Sequence, residues 1–143
     1  MTTPVGSEAT TVAHSGGAFA LDVSRAVAAP LGRVWQVLVS REGASGWLGE
    51  GAELGGKGEP YHCTDGTSGV VRSYHPLEQL RVSWHATPDS PPSVVEIDLR
   101  ADGEDTIVDL RHERIADQRL LDPLRLRWAA SLDALAERAS STG

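Results

Sequence analysis

Five histidines (His14, His62, His75, His85 and His112) and one cysteine, Cys63, are the residues best suited to metal ligation or nucleophilic chemistry. Zinc sites show paired ligands at short fixed spacings. His62 and Cys63 are chain neighbours on a stretch that reads as strand, so their side chains point to opposite faces. No pair of the histidines has a metal-ligand spacing, and no metal site is expected. Cys63 becomes a nucleophile only if a neighbour depresses its pKa. A single strand cysteine is more often a small buried hydrophobe. A nucleophile elbow needs Gly-x-Ser-x-Gly, whereas Gly66-Thr67-Ser68-Gly69 is one residue short and lies in a hairpin. Gly55-Gly56-Lys57-Gly58 lacks the spacing of a phosphate loop, and no helical pattern follows it. No catalytic residue, metal or cofactor is assigned.

What remains is polar residues in phase with apolar ones. His112 follows Val108 and Leu110 on one face, and Arg25 shares a face with Val23 and Val27. A buried polar group needs a partner. One reading has His112 bonding to backbone near the sheet end and Arg25 reaching a carboxylate at the rim. The other has both forming the polar end of an apolar pocket that orients a ligand. The tryptophans pose the same choice. Trp35 and Trp128 read most simply as core, and Trp47 and Trp84 as core or cavity lining.

The elements that must hold these residues follow from periodicity. Phe19, Leu21, Val23 and Val27 alternate as a half-buried strand. Pro30 stands where a helix would begin, and Leu31, Val34, Trp35 and Leu38 follow at helical spacing. Ser40 to Gly46 is a break with room for a short helical turn, closed by Trp47-Leu48. The five glycines from Gly49 to Gly58 predict a bent strand or bulge. Tyr61 to Thr64, Gly69 to Tyr74 and Leu80 to Trp84 read as strands, the first two joined at Asp65-Gly66. Ala86 to Pro92 is a proline-rich loop. Val95, Ile97 and Leu99 alternate, Asp102-Gly103 turns the chain, and Thr106, Val108, Leu110 and His112 line the last strand. Asp122-Pro123 predicts an N-cap, and Leu124, Trp128, Ser131, Leu132, Leu135 and Ala139 form one stripe on a terminal helix. Strands grouped between helices indicate α+β. The long terminal stripe is the natural cover for the sheet.

A chain of 143 residues suits one domain. The expected division is a Thr/Ser/Gly/Ala-rich tail over 1–17 and a domain over 18–140. The formal net charge of −7 argues against nucleic acid or an anionic membrane as partner. No apolar run approaches a membrane span, and no secretory leader pattern opens the chain. One cysteine excludes an internal disulfide, which fits a cytoplasmic location. Twelve arginines against one lysine, and no asparagine, suggest a GC-rich bacterial genome.

A spaced series runs through the chain: Ala29-Pro30, Val34-Trp35, Trp47-Leu48-Gly49, Asp65-Gly66, Gly69-Val70-Val71, Pro76, Leu80-Arg81-Val82-Ser83-Trp84, Thr106 to His112, and Trp128 with Leu132 and Leu135. Together these resemble the START-like (SRPBCC) superfamily, in the branch of the C-terminal domain of the Hsp90 ATPase activator. The resemblance implies a helix-grip fold: a curved antiparallel sheet of six to seven strands around a long C-terminal helix, with two short helices after the first strand. It also implies a container for a small apolar or aromatic molecule. The expected pocket residues are Trp47, Tyr61, Trp84, Val95, Ile97, Val108, His112, Leu124 and Trp128, with Tyr61 and His112 orienting the ligand. The favoured reading is a non-enzymatic binding protein, as monomer or homodimer. Its alternatives are a chaperone-associated protein-binding module and an enzyme resembling polyketide cyclases and aromatases, with His112 its key residue.

Overall fold

Pro30 starts the first helical turn at its N-cap position, and its carbonyl accepts from Val34 N at 3.1 Å. The elements of the computed structural model, which describes residues 19–87 and 89–140, run in this order. They are β1 (Phe19–Val27), α1 (Leu31–Val39), α2 (Arg41–Trp47), β2 (Pro60–His62), β3 (Ser68–His75), β4 (Gln79–Trp84), β5 (Ser93–Asp102), β6 (Asp105–Ile115), a 3-10 turn (Gln118–Leu120) and α3 (Leu121–Ser140). The tail expected over 1–17, with His14, lies outside the described residues.

The six strands form one curved antiparallel sheet in the order β1-β6-β5-β4-β3-β2. The order follows from hairpin connections throughout β2–β6, with β1 returning to pair with β6. One face carries Leu21, Val23, Val71, Leu80, Val82, Val95, Ile97, Val108 and Leu110, all buried. The helix α3, about 30 Å long at 20 residues, covers this face with Leu121, Leu124, Trp128, Ser131, Leu132, Leu135, Ala136 and Ala139. Arg25 stays half exposed and pairs with Asp133 of α3 at 3.1 Å, so it is a rim residue.

The α1–α2 corner is tight because Ser40 closes one helix and caps the next. Its Oγ accepts from Gly43 N at 2.9 Å. A Cβ on Gly43 would stand 1.7 Å from Val37 O, so only glycine fits. Trp47, the last residue of α2, donates through Nε1 to Leu38 O at 2.9 Å and locks the corner to the core.

Two local expectations differ from the structure. The stretch 49–59 is a succession of turns, not a bent strand, and β2 begins only at Pro60. Asp122 is not the N-cap of α3. The preceding 3-10 turn runs directly into that helix, which starts at Leu121, and Asp117 caps the 3-10 turn instead, accepting from Arg119 N at 2.9 Å. Pro123 is tolerated in the first turn of α3, where an N–H has no intrahelical partner.

Two β-bulges interrupt the sheet. On β6, Leu21 faces His112 and Phe19 faces Ile115, so Glu113 and Arg114 oppose one residue of β1. Arg114 takes φ 64°, a left-handed conformation that costs a non-glycine residue about 1–2 kcal/mol. The bulge returns Ile115 to the core, where it is buried. On β3, Arg72 is the extra residue between the pairs Val71–Val82 and Ser73–Arg81.

Candidate functional site: an aromatic cluster closed by an arginine

At one end of the sheet–helix interface, β4 ends in Trp84, β6 presents His112, α2 ends in Trp47 and α3 contributes Trp128. Their rings pack edge-on or tilted. Centroids are 5.1 Å apart for Trp84–His112, 5.8 Å for Trp84–Trp128, 5.7 Å for His112–Trp128 and 6.4 Å for Trp47–Trp128. Edge-to-face contact suits aromatic quadrupoles.

His112 is fully buried and both ring nitrogens are engaged. Trp128 Nε1–H donates to Nδ1 at 2.9 Å, which fixes the ring proton on Nε2. Nε2–H then donates to Ser93 Oγ at 2.6 Å, and Ser93 Oγ–H donates to Trp84 O at 3.2 Å. Burial, reinforced by the Arg127 charge, pushes the imidazole down to about 3. His112 is therefore neutral at physiological pH, with no lone pair or proton spare for transfer.

The same shift has a measurable consequence. A histidine whose folded pKa lies below its unfolded 6.5 contributes stability that is present above 6.5 and lost as pH falls toward 3. Glu96 on β5 acts oppositely. Its hydrogen bond with Asp98, then burial, raise it from 4.5 to about 7, so its contribution is lost as pH rises through that window. Between pH 4.5 and 6.5 the two offset each other. Urea unfolding of the wild type should be nearly flat with pH there. Glu96→Gln should expose the histidine, with stability falling by up to about 1.4 kcal/mol per pH unit on acidification. A parallel pair of profiles would contradict this assignment.

Tyr61 is buried on β2, and its hydroxyl donates to Ser83 O at 2.7 Å. Burial raises its pKa, so the phenol stays protonated. Cys63 is buried, and burial followed by the Asp65 charge pushes its thiol up to about 11. A protonated buried thiol is a poor nucleophile.

The nine residues expected to line a pocket are all buried. Trp47, Trp84, His112 and Trp128 form the ring cluster, and Val95 is the register partner of His112 on β5. Leu124 lies one turn before Trp128 on α3, and Tyr61 reaches toward β4 from β2. Ile97 and Val108 face α3 further along the sheet, Val108 being about 13 Å from His112 along β6.

Sequence reasoning did not single out Arg127. Its guanidinium lies over the Trp84 ring at 5.5 Å and the Trp128 ring at 5.4 Å. Nη2 donates to Leu48 O, the C-cap carbonyl of α2, at 2.9 Å. No carboxylate lies within ion-pair distance of it among the described residues, although its charge reaches Asp65, whose carboxyl the Thr67 hydrogen bonds and then Arg127 hold low. Its neighbours are the only signal in the sequence: an arginine directly before an inward tryptophan. Three buried side-chain donors lack a partner among the described residues: Trp84 Nε1, Arg125 Nε and Arg127 Nε. All three lie at the end of β4 or in the second turn of α3. Unpaired buried donors are uncommon and costly.

The chain matches the family model described as "Activator of Hsp90 ATPase homolog 1-like protein" over residues 28–140. No curated protein matches it. Among solved structures, CalU16 from Micromonospora echinospora superposes with a TM-score of 0.73 at 24% identity, over 86% of this chain and 77% of that one. The Aha1 dimer from Colwellia psychrerythraea gives 0.73 at 15%, over 87% and 98%. DynU16, from the dynemicin biosynthetic locus, gives 0.72 at 18%, over 82% and 46%. At these identities the structures share the fold. With the family model covering most of the sequence and the helix-grip architecture matching, the chain belongs to the activator of Hsp90 ATPase homolog 1-like family.

Proposed function

We propose that this protein is a non-enzymatic binding protein for a small, largely apolar or aromatic molecule that carries a carboxylate or similar acceptor group. The molecule would sit between the sheet and α3, at the Trp84–Trp128–Arg127 end. The observation that carries this reading is the unpaired Trp84 Nε1–H under a guanidinium that has an unused Nε–H and no carboxylate within ion-pair distance. Indole faces supply apolar area, at about 25 cal/mol per Å² buried. The indole N–H and the guanidinium supply the orienting contacts. Part of Arg127's role is structural, since it holds the end of α2, but that contact leaves its Nε–H unused.

A protein-binding surface finds less support. The exposed large apolar side chains among the described residues are Leu77, Leu120 and Leu126. Singly exposed leucines are ordinary on a soluble surface. An acid–base enzyme built on His112 is disfavoured by the neutral, fully bonded ring.

Trp84→Phe separates binding from folding. The substitution removes one unpaired donor but also shrinks a buried ring, so the melting temperature should fall modestly while circular dichroism shows the fold retained. Calorimetric titration with a panel of carboxylates, from benzoate and 2-naphthoate to octanoate and palmitate, should find a binder whose affinity falls about three- to tenfold in the variant. Equal affinity in the two proteins, or no binder in the panel, would sink the proposal.

A further inference from the structure

We infer that the outer face of the sheet, turned away from α3, carries an anion-binding cleft that takes the phosphoryl group of a small organic molecule. The cleft has a volume of about 550 Å³ and is lined by Arg72, Ser73, Arg81, Ser83 and Arg114, with the segment 92–94 that leads into β5. That size falls within the range of small-molecule sites.

The sheet irregularities converge here. Arg72 is the extra residue of the β3 bulge and Arg114 belongs to the β6 bulge, and both line this one cleft. Regular alternation would send the residue after Glu113 to the core side, and the bulge instead leaves Arg114 on the outer face. At φ 64° glycine would serve the backbone better, yet glycine would bring no guanidinium.

The charge balance favours a dianion. Arg81 is already held by Glu113 at 2.9 Å and Glu96 at 3.6 Å. Arg72 and Arg114 have no carboxylate partner among the described residues. Two free guanidinium groups match a phosphomonoester, whose charge is about −1.5 to −2 at neutral pH. Their planar forks suit its oxygens. Ser83 adds a donor: it is buried, its Oγ accepts from Val70 N at 2.9 Å, and its hydroxyl proton remains to be given. The formal net charge of −7 repels long polyanions, so a small ligand fits better than nucleic acid.

The test is calorimetric titration of the full chain with phenyl phosphate and with inorganic phosphate, at constant ionic strength against a sodium chloride control. Phenyl phosphate should bind, and bind more tightly than inorganic phosphate. Arg114→Gly and Arg72→Gln should each weaken it by about tenfold or more, as loss of a charge-assisted contact requires. Circular dichroism should show both variants folded. No binding beyond the chloride control, unchanged affinity in both folded variants, or tighter binding of inorganic phosphate would each overturn the inference. The cleft lies on the face opposite Trp84, so Trp84→Phe should leave phenyl phosphate binding unchanged.

Discussion

Replacing His112 with alanine is expected to lower the unfolding free energy by about 3 kcal/mol or more. Two effects add. Removing a fully buried ring leaves a cavity among Trp84, Trp128 and Val95. The change also strips Trp128 Nε1 of its acceptor and Ser93 Oγ of its donor, both buried. A buried donor without a partner costs about 1–3 kcal/mol by itself. Urea unfolding followed by tryptophan fluorescence measures the loss. A catalytic histidine in an open pocket would behave differently, with the fold intact and turnover abolished. A loss below about 1 kcal/mol, which is the typical effect of any substitution, would mean that the hydrogen-bonded relay from Trp128 to Trp84 is not what holds this corner together.

Gly69→Ala should be of similar size. A Cβ at Gly69 would stand 1.9 Å from Ser83 O and 2.6 Å from Tyr61 Oη. The first is backbone of the neighbouring strand and cannot swing aside. The Tyr61–Ser83 bond that ties β2 across β3 to β4 runs through this same gap. The methyl must therefore push β3 off β4 or expel the tyrosine. Overpacking of this kind costs about 1–3 kcal/mol, and loss of a buried hydrogen bond adds to it. Thermal unfolding of Gly69→Ala beside Gly56→Ala, where an added Cβ meets nothing within 4 Å, isolates the effect. Equal melting temperatures would show that the strands have slack there.

The sheet and α3 were legible because their signals are local. Val95, Ile97 and Leu99 alternate with a period of two, and Leu124, Trp128 and Leu135 recur on a helical stripe, without reference to any other element. Both bulges were invisible for the opposite reason. One surplus residue on one strand shows only against its partner's register, so Arg72 reads as an ordinary strand residue and Arg114 as the start of the turn after the last strand, which in fact runs to Ile115. The Asp122-Pro123 cap signal was overridden by the 3-10 turn that runs into α3. The inward positions of Trp84 and Trp128 could be read from phase, whereas Trp47 only closed a break after the first helix. Their edge-on or tilted packing on one another, and the arginine stacked over two of them, depend on three separate elements and had no local signature. His112 shows the same division. Its face followed from alternation, but its tautomer rests on Ser93 and Trp128, 19 and 16 residues away in sequence.

The central claim is that Trp84 and Arg127 hold the acidic end of an otherwise apolar ligand. The most direct measurement is a calorimetric titration of the wild-type protein with the tightest carboxylate of the panel and with its methyl ester. The two differ in charge and in little else. A guanidinium with no carboxylate within ion-pair distance predicts that the ester binds about tenfold or more weakly. Acid and ester binding with the same affinity would contradict the claim, leaving Arg127 only its structural part in holding α2 against the tryptophans.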